Sequence, residues 1–377
     1  MRMNDYRYFS VEERLRYLRS QKMTTGIPYF GGKSKIGKYI YNTIFNMAIN
    51  MEDEGNKPKV FVDAFCGGGK MALSVPHGWF DLIVMNDLDY GVYSYYCCAK
   101  DRHRELIATV DMLLDSMDER LFWVCIATRE EKQMNSLMAG AMTYVAAALS
   151  FNNMLDKDSA RYKPTMGENN EKTELEKVRN RAHKAIVRVH EKLNSQHYII
   201  ENLDYRELIK KYNEMENTFD NGTGLTFGSK NILWYFDPPY YEFCLNGTDA
   251  APYANSFEEK DTLIMTDILV GKDLSYGELH YFIKSDYNPK ETLKKARAEL
   301  SSGKELSENQ KKTYKSVVER AEMMQHIFDS IEESPFIAFS VGNFDKGAIV
   351  AGEVSVGDEW VWCKGLPTGY ERLEKHY

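Results

Sequence analysis

The chain has 377 residues, 43% of them hydrophobic, and its 48 Lys and Arg against 56 Asp and Glu leave a formal net charge of −8. That length and apolar content suit a globular protein of two or three structural units, with no apolar run long enough for a membrane span and no signal-peptide core near Met1, so a cytoplasmic protein is expected. The acidic balance excludes a protein that coats nucleic acid indiscriminately, and six cysteines without C-x-x-C spacing or a metal-type cluster predict reduced thiols and no metal.

In chain order, the first notable segment is Pro28-Tyr29-Phe30-Gly31-Gly32-Lys33, just before a helix. Its lysine suits a carboxylate of a bound cofactor, or the segment is a basic arm with a glycine turn. Val60-Phe61-Val62 predicts a short strand, followed by Asp63-Ala64-Phe65-Cys66-Gly67-Gly68-Gly69-Lys70 and a helix from Met71. Glycines here let the backbone approach a ligand or simply make a tight turn. The loop matches neither G-x-x-x-x-G-K-[ST] nor G-x-G-x-x-G. Leu82 to Met85 predicts a second strand, ending at Asn86-Asp87, where a carboxylate can accept both hydroxyls of a ribose or cap the helix from Tyr90.

About a hundred residues of helical character follow, including the aliphatic run Ala139–Leu149. Residues 157–192 carry ten Lys and Arg against six acids, as do residues 284–320, so each segment is +4 in an acidic chain. Each is either a solvated helical face of mixed charge or a surface for a polyanion. Tyr198-Ile199-Ile200 predicts a third strand; beyond it Asp204 either accepts from an adenine amino group or caps a helix starting at Tyr205. Ile232 to Phe236 is a fourth strand and Phe336 to Phe339 a fifth, with Glu353–Val356 and Glu359–Trp362 as possible final strands. Between them, helical periodicity over Lys290–Leu300 and Glu308–Ile331, joined by Ser301-Ser302-Gly303, predicts a second helical insertion over 262–332.

Apolar strands alternating with helices predict an α/β fold with a mainly parallel sheet, in which ligands gather beyond the strand carboxyl ends. The fourth strand ends in Asp237-Pro238-Pro239-Tyr240. Asp237 offers a carboxylate acceptor, while proline donates no N–H and fixes φ, which leaves the Pro238 carbonyl free to accept. With the Tyr240 ring beside them, these acceptors suit an exocyclic amine on a flat heterocycle, such as adenine N6 or cytosine N4. A plain strand-ending turn uses the same residue types.

Taken in order, Tyr29-x-Gly31-Gly32-Lys33, Asp63-x-Phe65-x-Gly67-x-Gly69, Asn86-Asp87, a helical insert and Asp237-Pro238-Pro239-Tyr240 resemble the Dam-like DNA adenine-N6 methyltransferases that use S-adenosyl-L-methionine. Tyr253-Ala254-Asn255-Ser256-Phe257 and Phe339-Ser340-Val341-Gly342-Asn343 extend the resemblance, which spans about 30 to 345. It implies a Rossmann-like methyltransferase sheet formed by residues 1–100, 196–261 and 333–377, a helical target-recognition domain over 101–195 and an accessory helical insertion over 262–332. It further implies that Tyr29 and Lys33 contact the methionine part of the cofactor and Phe65 packs on its adenine. Asp63 and Gly67 then lie near its amino and carboxylate end, Gly69 also binds the cofactor, Asp87 holds the ribose, and Asp204 is a looser match.

Asp237, Pro238, Pro239 and Tyr240 become the catalytic motif, acting on an adenine flipped out of double-stranded DNA. Asn152, Asn153, Arg161 and Lys163 fall where such enzymes keep target recognition, and could read base edges or hold phosphates. The 284–320 segment has no counterpart in a minimal family member. A methyltransferase of cytosine N4 or RNA adenine, or a non-catalytic DNA- or cofactor-binding relative, would share most of these residues; oligomeric state, recognised sequence and any companion restriction enzyme are not legible.

Overall fold

The structure is a computed structural model and describes residues 3–20, 23–30, 37–163, 168–213, 217–219, 224–239, 257, 259–287, 289–303, 306–312, 314–315, 318–319, 322, 337–343 and 358–366. Lys33, Tyr240, Tyr253–Ser256 and Glu353–Val356 lie outside the described residues.

Two short helices, α1 (Met3–Arg7) and α2 (Val11–Ser20), precede α3 (Gly37–Asp53). Then come β1 (Val60–Asp63), α4 (Lys70–Ser74), β2 (Leu82–Asn86) and a helical run of α5 (Tyr90–Asp101), α6 (His103–Asp115), α7 (Glu119–Thr128), α8 (Ser136–Leu149) and α9 (Glu168–Leu193). The chain continues through β3 (Tyr198–Glu201), α10 (Tyr205–Tyr212), a small hairpin of β4 (Asn217–Phe219) and β5 (Leu225–Phe227), and β6 (Ile232–Phe236). It closes with α11 (Glu259–Leu269), β7 (Phe282–Tyr287), α12 (Pro289–Ser301), β8 (Ile337–Asn343) and β9 (Asp358–Lys364).

Seven strands form one sheet in the order β3-β2-β1-β6-β7-β9-β8. The first five run parallel, and β9 is antiparallel to both β7 and β8. Every residue of β1, β2 and β6 is buried, because helices cover both faces. Strand alternation sends Phe61, Ile83 and Leu233 into an apolar cluster on one face, and Val62, Val84 and Trp234 into a cluster on the other, packed by α10 and α11. Apart from Glu353–Val356, the strands expected from the sequence thus pair in one sheet, with the α/β fold class as anticipated.

The helical run 101–195 shares a core with the sheet. Leu106 of α6, Phe122 of α7, Ala146 of α8 and Ile186 of α9 belong to the same apolar cluster as Phe61 and Ile83. Helices α5 and α8 meet at Gly140, where an added Cβ would stand 2.8 Å from the Tyr95 backbone.

Within residues 262–332, Lys290–Leu300 lies in α12 as expected, but one stretch departs from the helical reading. Phe282–Tyr287 is a strand inside the main sheet, pairing with β6 through Trp234↔Phe282, Tyr235↔Ile283 and Phe236↔Lys284. Lys284, Ser285 and Asp286 interrupt the apolar signal that would mark a buried strand, yet Lys284 is 3% exposed and Ser285 0%. Toward the carboxyl end of this strand the Ser285 hydroxyl is partnered by that of Tyr235 at 3.0 Å. Helix α11 is the crossover between two parallel strands, and the helical excursion begins only at α12.

From β1 the chain works outward to β2 and β3, then returns to β6 on the other side of β1. The carboxyl ends of β1 and β6 therefore flank the switch point of the sheet, where open α/β folds bind ligands.

Candidate active site

Past β1, the Ala64 amide donates to the Tyr235 carbonyl at 3.0 Å and the Cys66 amide to that of Asn86 at 2.8 Å, so the loop is tied to both neighbouring strand ends. Gly67 (φ +43) and Gly69 (φ +71) take left-handed conformations that side chains resist. Contacts oppose substitution as well: a Cβ on Gly67 would stand 2.9 Å from the Tyr29 ring, and one on Gly69 2.5 Å from the Tyr96 hydroxyl. Tyr96, buried on α5, donates to the Gly67 carbonyl at 3.0 Å. Asp63 is 1% exposed and accepts from the Ala72 amide of α4 at 3.1 Å, which fixes the helix that follows the loop. Burial, then the carboxylates of Asp87 and Asp63, push the Cys66 thiol far up, so it packs as a neutral group.

The end of β2 is bonded more densely still. Buried Asn86 donates to the carbonyls of Ala64 and Leu203, each at 3.0 Å, and accepts from the Leu203 amide at 3.0 Å, locking together the ends of β1, β2 and β3. One oxygen of Asp87 accepts from the Gly67 amide at 2.8 Å and the other from the Asp89 amide at 3.0 Å. Desolvation, followed by the nearby Asp89 carboxylate, pushes the Asp87 carboxyl up to about 7, against those two amides and the Arg129 guanidinium. Asp89, not Asp87, caps α5, accepting from Gly91 and Val92 amides at 2.8 and 3.1 Å.

Asp204 realises the capping alternative. It accepts from the Arg206 amide at 2.9 Å and is gripped by the same residue's guanidinium at 2.7 and 2.8 Å. Next to it, Phe65, Tyr205 and Phe257 make a three-ring cluster with centroids 5.8 to 5.9 Å apart. Phe65 is half-buried there and can offer ring area to a flat ligand.

On β6, the pairing Asp63↔Tyr235 sets Asp237 two residues beyond the partner of Asp63, across the switch point. Asp237 and Pro239 are half-buried and Pro238 is buried. Trp234 and Phe236 stack at 5.7 Å beneath the motif, which anchors the strand end.

The remaining predicted residues lie together elsewhere. Between α8 and α9 the chain doubles back through a Ser150↔Tyr162 bridge, with the Phe151 amide donating to Arg161 and that of Lys163 to Leu149, both at 2.8 Å. Asn152 and Asn153 adopt φ of 55° and 58°, a conformation asparagine tolerates. Arg161 and Lys163 are exposed, and Arg161 donates to the Asp158 and Ala160 carbonyls of its own turn. Partial burial and the neighbouring Arg181 charge lower the Lys163 pKa.

Tyr96, Tyr205 and Arg129 went unread in the sequence. Tyr96 has a faint signal in the tyrosine-rich stretch Tyr90–Tyr96 directly after the second acidic strand end; the other two have none. Among the described residues no trio of His, Cys, Asp or Glu could hold a metal ion, and no helix is long and apolar enough to cross a membrane.

The loop without β-carbons at Gly67 and Gly69, the half-buried Phe65 ring and the Asp87 carboxylate fit a nucleoside-containing cofactor: a cradle a side chain would fill, an aromatic wall and an acceptor for hydroxyls. Residues 29–334 match the family model described as D12 class N6 adenine-specific DNA methyltransferase. No curated protein gives a significant match.

Proposed function

The chain belongs to the D12 class N6 adenine-specific DNA methyltransferase family and is an adenine-specific DNA methyltransferase; on that premise we propose which residues perform the reaction and with what methyl donor. The donor is S-adenosyl-L-methionine, which supplies an electrophilic methyl group when bound. The observation that carries this reading is the switch-point crevice, with the glycine loop and Asp87 on one side and Asp237-Pro238-Pro239 on the other.

Asp87 would accept from the ribose hydroxyls of the donor, Phe65 would pack on its adenine, and Tyr29, Asp63, Gly67 and Gly69 would shape the pocket for its methionine end. Lys33, by its place in the sequence, pairs with the donor's carboxylate. Asp204, spent on Arg206, acts as a support for Tyr205 and the aromatic wall.

At the other side, the Asp237 carboxylate and the Pro238 carbonyl accept from the adenine N6 amino group. Two acceptors in the plane of the base direct the nitrogen lone pair out of that plane, toward the donor, and offset the positive charge that develops on nitrogen during transfer. The surplus proton then leaves the amine, with Asp237 the nearest acceptor. Tyr240 stacks on the base, and this contact offsets part of the cost of extracting adenine from the duplex, about a few kcal/mol. The helical unit 101–195 serves target recognition, with Asn152, Asn153, Arg161 and Lys163 facing DNA.

Methyl transfer from labelled S-adenosyl-L-methionine to duplex DNA tests the reading, with the modified base identified after digestion. N6-methyladenine, lost in Asp237→Ala while cofactor binding persists, is the expected result. Transfer that survives Asp237→Ala would sink the assignment of the motif.

A further inference from the structure

Resting on the assignment of Asp87 to the cofactor, we infer that Arg129 is a positioning residue for methyl transfer, holding the acid at the end of β2 in its binding geometry by way of Asp89. Arg129 follows α7 and is 0% exposed; its guanidinium meets the Asp89 carboxylate, 1% exposed, at 2.5 Å. An ion pair so deeply buried recovers its desolvation cost only with good geometry and further hydrogen bonds, and here those bonds lead to the site.

Asp89 uses one oxygen for the amides that open α5 and the other for Arg129. Its own amide donates to Asp87 at 3.0 Å, and the opposite oxygen of Asp87 receives the Gly67 amide at 2.8 Å. A continuous line of bonds therefore runs from Arg129 through Asp89 and Asp87 to the glycine loop. The geometry has little slack, since a Cβ on Gly91 would stand 2.0 Å from Thr143 Oγ1 and 3.1 Å from the Arg129 carbonyl.

The charges make the same case. Asp87 and Asp89 repel one another in a desolvated pocket, and the Arg129 cation offsets that repulsion. The buried thiol of Cys66 and phenol of Tyr96 that face Asp87 are held neutral by burial and cannot replace it. On its far side Arg129 donates to Glu130 and feels the Tyr29 phenol, and Glu130 in turn faces Asp156 and Lys157 of the loop between α8 and α9. Removing the guanidinium leaves Asp89 as an unpaired buried anion and raises the pH at which Asp87 gives up its proton.

The test is calorimetric binding of S-adenosyl-L-methionine to the full chain across the pH range around 7, for the parent protein, Asp87→Asn, Arg129→Met and Arg129→Lys. We expect Asp87→Asn to weaken binding and flatten its pH dependence. Arg129→Met should weaken binding at neutral pH by about tenfold, the equivalent of one pKa unit, and move the pH curve upward. Arg129→Lys should recover part of both effects, having the charge without the planar fork. Turnover at saturating cofactor should change far less than affinity.

If Asp87→Asn weakens binding and both Arg129 variants leave affinity and pH curve in place, the inference is overturned while the site assignment stands. If Asp87→Asn itself leaves binding unchanged, the site assignment fails and the inference with it. Should Arg129→Met fail to fold, Arg129→Lys decides alone, and an unmoved pH curve overturns the role.

Discussion

The end of β2 and the loop between α8 and α9 use the same residue types in opposite ways. At β2, Asn86 and Asp87 are held by bonds to distant backbone and Asp89 by the amides of α5 and a buried arginine, so their orientations are set before any ligand arrives. In the loop, Asn152 and Asn153 sit at positive φ, Phe151 is 58% exposed, and Arg161 bonds carbonyls of its own turn. A methyl donor is the same molecule in every turnover and rewards a rigid pocket. A DNA sequence is met by exposed side chains that exchange local bonds for base edges and phosphates.

The largest expected effect lies across the switch point from both regions. Asp237→Ala should lower turnover by about 10²- to 10³-fold, the scale for removing one positioned polar group, with cofactor affinity within about twofold of the parent. Single-turnover methyl transfer at saturating DNA measures it. A comparable loss of cofactor affinity would mean that the crevice is not divided as argued.

Asp87→Ala should weaken the donor by about tenfold or more, in line with losing a hydrogen bond to a charged group, and leave turnover at saturation nearly intact. The same acid sets a pH dependence. Ribose hydroxyls donate to the ionised carboxylate, so affinity should rise as pH increases through about 7. Folding stability moves the other way at this group. A carboxyl raised in the folded state contributes fully below its ordinary range, and that contribution is lost as pH rises through about 7.

Rigidity of the pocket is tested by Gly69→Ala, which imposes a side chain at φ +71 and 2.5 Å from the Tyr96 hydroxyl. It should cost about 1–3 kcal/mol of stability in urea unfolding, whereas Tyr96→Phe, which removes only the bond to Gly67, should cost about 1 kcal/mol. Asn152→Ala should cost little in the same assay, since Asn152 is only half-buried and lies outside the core that takes up Leu155, Ala160 and Tyr162 of the same loop.

The smallest effect is expected from Arg161→Ala. DNA affinity should fall modestly and the slope of its salt dependence should drop by about one ion if the side chain meets a phosphate, while cofactor binding stays the same. An unchanged slope together with relaxed sequence preference would move Arg161 from phosphate to base contact.

Legibility followed the range of the interactions. Val60–Asp63, Leu82–Asn86 and Ile232–Phe236 were readable because buried parallel strands are continuous apolar runs, with Asp63, Asp87 and Asp237 at or just past their carboxyl ends. Phe282–Tyr287 was not, because Lys284, Ser285 and Asp286 look like surface in the sequence, and Lys284 and Ser285 are buried only by pairing between β6 and β9. Asp204 read equally well as ligand or cap, and it caps α10 while pairing with a guanidinium two residues away. Arg129 carried no local signal at all; its partner is forty residues distant, on another helix.

By itself, the sequence determined the reaction chemistry: an acid and two prolines at a strand end, glycines where backbone must come close, and an acid after the next strand. These depend on neighbours along the chain, which fix φ, remove donors or leave out a Cβ. Only the tertiary structure decided which acid caps α5, that Phe282–Tyr287 joins the main sheet, and what keeps two carboxylates side by side at the end of β2. Those outcomes depend on desolvation and on groups far apart in sequence, and neither quantity exists before the chain is folded.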